Sequence, residues 1–286
     1  MTGVQTCALP ISVAIGLFDG GSALGAILAP PMVAALALYF GWRAAFVATG
    51  TLGFLWLAAW LMIYRAPEEH PAAPASSLAV IRSLLSTRQL WGLMATRMIA
   101  TPVWWFYAFW LPDYLGKDRG FSLKEIGMFA WIPFLTVDLG KLLGGALSDR
   151  MLRRGASATI ARKSVMAGGA IAMMGGIQVV GLQTAWAALT WVCLATFGFG
   201  MWSSNILALH ADIFPAGSMA TAVGLTGTAA SLGGAIFTYC TGLIVDRSGY
   251  GPVFWVAGMA AMVAFLCLVF FVERVQAVEY DHAIAQ

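Results

Sequence analysis

Charge is what this sequence has least of. Only 10% of its 286 residues are Asp, Glu, Lys or Arg, against roughly 25% in an ordinary soluble domain. A soluble globular chain and a disordered chain are both excluded, since each needs a hydrated, charged surface. The net charge is only +3 and no basic arm runs along the chain. The phosphates of a nucleic acid therefore find no partner, and no nucleic-acid binding is expected. Cysteine is scarce too. Cys7, Cys193, Cys240 and Cys267 lie far apart, with neither disulfide-framework nor zinc spacing. No metal site and no cofactor are expected. The first dozen residues have no basic stretch leading into an apolar core, so no secretory signal is read.

What is abundant is hydrocarbon. The hydrophobic set makes up 60% of the chain, and mean hydropathy is +0.81. That is enough for roughly eight spans of about 20 residues across a bilayer core. Eight runs are readable: 13–40, 44–64, 90–115, 126–147, 164–182, 186–209, 219–245 and 253–272. Backbone polar groups inside lipid must be satisfied within the segment, so these runs are helices. They lack the alternation of barrel strands. The expected class is an all-α membrane protein with eight transmembrane helices. Gly41-Trp42-Arg43 reads as a tight turn, and Pro30-Pro31 and Pro133 as kinks. Residues 65–89, rich in Pro, Ala and Ser, read as a cytoplasmic linker.

Loop charge orients the runs. Arg65, Arg82, Arg88, Arg150, Arg153, Arg154, Arg162, Lys163 and Arg274 fall on one side. Arg43, Lys117, Arg119, Lys124 and Arg247 fall on the other. The richer side is cytoplasmic by the positive-inside rule, which places the C-terminus there in a multi-pass inner (plasma) membrane protein. Met1–Ser12 lacks the apolar length and helical period of the eight runs. It reads as the in-frame translation of a sequencing adapter joined to a broken gene end, and is no part of the expected fold.

After the fourth run the chain reads Gly144-Gly145-Ala146-Leu147-Ser148-Asp149-Arg150-Met151-Leu152-Arg153-Arg154-Gly155. This resembles the signature loop of the major facilitator superfamily. Glycines let helices approach closely. Asp149 is expected to pair with Arg150 or Arg153, or to sit at a helix N-terminus. Gly145, Asp149, Arg150, Arg153 and Arg154 are thus candidates for a gating latch. The resemblance implies that runs three to eight (90–286) are a complete six-helix second half. Residues 13–64 are then the last two helices of a first half, the rest of which is absent upstream. Pro102-Val103-Trp104-Trp105-Phe106-Tyr107, Trp131-Ile132-Pro133-Phe134-Leu135, Asp138-Leu139-Gly140 and His210-Ala211-Asp212-Ile213-Phe214-Pro215 narrow it further. They resemble the sugar-acid (hexuronate) branch of the anion:cation symporter family. Thr101 and Lys141 depart from that branch's pattern and leave the substrate within it open.

A transporter of this fold binds near the midplane between its halves. Arg97, Thr101, Trp104, Tyr107 and Trp110 share a helical stripe in run three. Indole and phenol donors suit sugar hydroxyls, so Trp104, Tyr107 and Trp110 are substrate candidates; the alternative is packing. Arg97 either binds an anion, snorkels to the surface or forms a gate pair. Asp138 and Lys141, three apart, form an ion pair or carry a coupling proton. Trp202 and Asn205 in run six, and Thr228 in run seven, complete the substrate candidates, with interhelical bonding the rival use of Asn205.

The implied function is secondary active transport of a small organic anion such as a hexuronate or aldonate. It would run by alternating access, with protons, in a protein that is a monomer at full length. The 286 residues alone are not expected to transport. A same-fold exporter of drugs or organic anions is the nearer alternative. A polytopic membrane enzyme is the remote one, because His70, His210 and His282 lie in separate segments.

Overall fold

The computed structural model describes residues 8–64 and 78–275, with side chains from Leu24 onward. Every regular element is helical: α1 (Ala8–Phe40), α2 (Trp42–Ile63), α3 (Leu78–Leu85), α4 (Arg88–Lys117), α5 (Leu123–Phe129), α6 (Ile132–Arg153), α7 (Ala158–Met174), α8 (Ala185–Ile213), α9 (Ala216–Ser248) and α10 (Gly251–Phe271). A 3-10 segment, Gly175–Gly181, continues α7. Among the described residues, six helical stretches are long and apolar enough to cross a membrane. They are Trp42–Ile63, Leu123–Arg153, Ala158–Gly181, Ala185–Ile213, Gly217–Ser248 and Gly251–Phe271. The apolar stretch Leu24–Phe40 is shorter. α4 has 30 residues, about 45 Å at 1.5 Å each, but carries Arg88, Arg97, Asp113 and Lys117 along its length.

Several sequence expectations change in detail. α1 begins at Ala8 and so takes in five residues of Met1–Ser12, the segment expected to lie outside the fold. The turn after α1 is a single residue, Gly41, whose φ of +82° only glycine adopts without strain. The kink expected at Pro133 is a full break: α5 ends at Phe129 and α6 restarts at Ile132, one residue before the proline that cannot donate a backbone bond. Ser122 starts α5 through a reciprocal capping box with Glu125. Residues 65–77 of the expected linker lie outside the described residues. The rest of it is not a polar tether, because Leu78–Leu85 forms α3 and buries Leu84 completely.

The fold divides into two compact units. One holds α1, α2 and residues Leu115–Leu135. In it α5 lies so close to α1 that a methyl on Gly127 would overlap Ala34. From Leu52 onward α2 is apolar all round, and the helix is almost wholly exposed, with Trp56, Trp60 and Tyr64 stacked along one side at 5.5 and 4.8 Å. Such a helix is stable against lipid, not water.

The other unit holds α3, α4 to Tyr114, and the chain from Thr136 onward. Helices in lipid gain little from hydrophobicity and associate by close van der Waals packing, which small residues allow. α8 does this on two faces. A methyl on Gly198 would strike the Gly169 carbonyl of α7, and one on Gly200 would strike the Val137 carbonyl of α6. Two residues are about 200° apart on a helix, so α8 is clamped between α6 and α7. α9 is pinned at Gly233 against Met98 and at Gly234 against Trp105, whereas Gly217, Gly224 and Gly227 face open space. At one end of the unit, Lys163 donates to the Val272 and Glu273 carbonyls, and Arg88 to Phe270 O (2.6 Å) and Glu273 (3.0 Å). These cations satisfy the carbonyls that α10 leaves open at its C-terminus.

Candidate functional site

The aromatic stripe of α4 does not stay together on one wall. Trp104 stacks on Phe199 of α8, with ring centroids 5.7 Å apart and planes 11° apart. Trp110 meets Tyr250 edge-on at 6.4 Å and covers Gly242 of α9. Tyr107 turns inward, tilted against Phe254 at 6.2 Å, and is only 2% exposed. Its hydroxyl lies over Gly176, at the start of the 3-10 segment. Tyr107 OH and Trp110 Nε1 are buried without a hydrogen-bond partner among the described residues. In this packing Tyr107 is a core residue with an unmet donor, not a cavity lining. The Tyr250 hydroxyl, further along the same helix pair, donates to Asp113.

Arg97 reaches a neighbouring helix. Its half-buried guanidinium donates from Nη1 to Thr226 Oγ1 of α9 at 2.9 Å. Thr226 in turn bonds His210 Nε2 at 2.9 Å, and His210 Nδ1 lies 2.7 Å from the Ile206 carbonyl. Thr226 and His210 are fully buried. Neither is a substrate-site candidate by sequence; His210 enters there as part of a motif and as one of three scattered histidines. The separations of 129 and 16 positions leave no local signal.

The signature segment is mostly helix. α6 runs through Arg153, and the connection to α7 turns at Gly155 with φ +90°. Gly144 makes a close approach, to Met201 of α8; Gly145 meets nothing within 4 Å, so the expected pair of approach glycines reduces to one. Asp149 does not pair with Arg150 or Arg153. Its partner is Arg162 of α7, at 3.1 Å. The Arg162 side chain is 11% exposed and also binds Ser148 Oγ (2.7 Å) and Asp212 of α8 (3.1 Å). One planar guanidinium can serve several acceptors at fixed angles, which a flexible i,i+4 pair on the surface of α6 cannot match. Arg150, Arg153 and Arg154 are exposed and form no ion pair among the described residues.

Asp138 and Lys141 do meet, at 3.0 Å, in the i,i+3 geometry expected of them. Asn205 is wholly buried and donates to the Gly144 carbonyl at 3.2 Å and to Met201 O at 2.9 Å. It ties α8 to α6, the rival use named for it. Trp202, 2% exposed, packs edge-on against Phe265 at 6.5 Å. Thr228 is exposed and bonds back to Gly224 O at 3.0 Å. Among the described residues, no three metal-binding side chains gather.

The model of the Major Facilitator Superfamily matches residues 12–238. The chain belongs to the major facilitator superfamily. It is 32% identical, over 94% of its length, to the "Hexuronate transporter" of Escherichia coli (strain K12). A "Galacturonate transporter" of Dickeya chrysanthemi is 35% identical over 57% of the chain and 53% of its own length. A "Probable galactarate/D-glucarate transporter" of Bacillus subtilis (strain 168) is 28% identical over 92% of the chain and 64% of its own length. The chain spans just under two thirds, 66%, of the hexuronate transporter it matches. In structure it is similar to a bacterial homolog of the human lysosomal transporter Spinster, in an inward-facing, unoccupied conformation. There the TM-score is 0.63 at 18% identity, over 92% of this chain and 69% of that one, a likeness of fold. These facilitator-superfamily relatives are transporters, not enzymes, so the membrane-enzyme alternative falls away.

Proposed function

We propose that this chain is part of a secondary transporter that moves a small sugar acid, a hexuronate or an aldonate, across the inner membrane. The observation that carries the reading is the 32% identity to a hexuronate transporter across 94% of the chain. In this reading the chain supplies the last two helices of a first half and a six-helix second half. The cation-rich ends and the C-terminus face the cytoplasm. The two halves rock about a midplane site, and protons move with the substrate.

The Asp149–Arg162–Asp212 cluster is then the latch. It ties the ends of α6, α7 and α8, and the second half moves as a body while it holds. Asp138 is the candidate carrier of the coupling proton, and Lys141 is its partner at 3.0 Å. Trp104 and Trp110 reach sugar C–H faces after the aromatic stripe rearranges. Isothermal titration calorimetry of the purified chain with D-galacturonate, D-glucarate and D-galactose tests the reading. Competing heats from the two acids and none from galactose support it. Heat from galactose equal to that from the acids refutes it, as does silence from both acids.

A further inference from the structure

An arginine inside a lipid-spanning bundle is costly unless it is paired or faces a polar cavity. Arg97 has no ion pair among the described residues; it donates to Thr226 Oγ1 at 2.9 Å and, more weakly, to the Val223 carbonyl at 3.5 Å. Both bonds use Nη1. Nε and Nη2 donate to nothing among the described residues, and the side chain is half-exposed. One corner of the guanidinium is held and the other edge is on offer.

The hold is directional. A carbonyl only accepts, so His210 Nδ1 carries the proton that reaches Ile206 O at 2.7 Å. In the neutral ring Nε2 is then an acceptor, and the one Thr226 hydroxyl proton has two acceptors in reach, Nε2 at 2.9 Å and the Val223 carbonyl at 3.1 Å. Thr226 Oγ1 keeps its lone pairs for Arg97. Thr226 and His210 thus orient the arginine without neutralising it. They come from α9 and α8, while Arg97 comes from α4, so three helices fix one guanidinium.

We infer that the free edge of Arg97 is a carboxylate-binding station inside the second unit, with Thr226 and His210 as positioning residues. A planar carboxylate matches a guanidinium edge with two parallel charge-assisted bonds. Thr101, one turn further along the same face of α4, supplies a hydroxyl for a hydroxylated acid. That the acid is a sugar acid rests on the proposed function; that it is a carboxylate does not.

The test is calorimetry on the full chain in neutral detergent, with D-galacturonate, acetate and D-galactose as probes. Arg97→Gln is expected to weaken galacturonate binding about 50-fold, the scale of a lost charge-assisted pair. Arg97→Lys keeps the charge but loses the fork, and about tenfold is expected. Thr226→Val is expected to cost about fivefold and Thr226→Ser less than about twofold, since only the first removes the orienting hydroxyl. Melting temperatures equal to that of the parent chain separate binding from folding. Should Arg97→Gln not fold, the Val and Ser variants at position 226 decide. Galacturonate binding that survives Arg97→Gln within about twofold overturns the station and leaves the sugar-acid reading standing. Equal affinities for Thr226→Val and Thr226→Ser overturn it in the same way. Acetate bound, galacturonate not, and the acetate heat lost in Arg97→Gln, supports the station and removes the sugar-acid reading. No anion bound by the parent chain overturns both.

Discussion

Exchanging Gly176 for alanine puts a methyl where the Tyr107 hydroxyl now lies. With that oxygen gone, the nearest atoms to the new methyl are the ring carbon Cζ of Tyr107 at 3.6 Å and Ala195 Cβ at 3.7 Å, both ordinary contacts. A double substitution therefore separates two explanations. Gly176→Ala alone is overpacked, and about 1–3 kcal/mol of destabilisation is expected. Tyr107→Phe alone removes a buried donor that has no partner among the described residues. It is expected to be neutral or stabilising, because an unmet buried polar group costs about 1–3 kcal/mol. The double variant returns close to the parent chain. Its coupling energy is about 1–3 kcal/mol in the rescuing direction, well above the roughly 0.3–0.5 kcal/mol scatter of independent sites. Equilibrium unfolding of the four proteins in mixed micelles, followed by tryptophan fluorescence, gives all four values. A double variant as unstable as Gly176→Ala alone would show that the hydroxyl does not occupy the glycine notch.

Arg162→Met strands two carboxylates and is expected to cost about 3 kcal/mol. Asp149→Asn, on a side chain 55% exposed, is expected to cost under about 1 kcal/mol. Thermal unfolding ranks the two, and equal losses would sink the assignment of Arg162 as the hub. Gly145→Ala meets no atom within 4 Å and should gain up to about 1 kcal/mol from helix propensity. Gly200→Ala meets the α6 backbone and should lose more than about 2 kcal/mol. Comparable melting temperatures for these two glycine variants would contradict the clamped placement of α8.

Long-period features were legible in the sequence and long-range ones were not. The hydrophobic runs located α4 and α8–α10 to within a few residues, because lipid imposes one length and one backbone solution. Pro133 marked a disruption, and the structure puts the α5–α6 break beside it. The Asp138–Lys141 pair was readable because both partners lie on one helix turn. Arg162 was counted only as a loop cation, since its partners Asp149 and Asp212 lie 13 and 50 positions away. α3 was hidden in a stretch whose Pro and Ser content masks one short amphipathic turn pattern. Asn205 and Tyr107 show the limit from the other side. A polar tip at mid-span reads alike whether it faces a cavity or a neighbouring backbone, and only the position of Gly144 or Gly176 decides.

The uneven glycine packing of α9 has a mechanical meaning. Beyond Gly233 the helix is pressed against α4 and has no room to swing, so Gly233 serves as a fulcrum. Ahead of it the longer arm meets no neighbour at Gly217, Gly224 and Gly227, while Ala222, Thr226, Ala229 and Ala230 are buried. That arm is moored to its neighbours chiefly through side chains, and Thr226 is the mooring that reaches both Arg97 and His210. Displacing the guanidinium from Thr226 removes one tie on that arm, and the close approaches that clamp α8 between α6 and α7, at Gly198 and Gly200, share no residue with it.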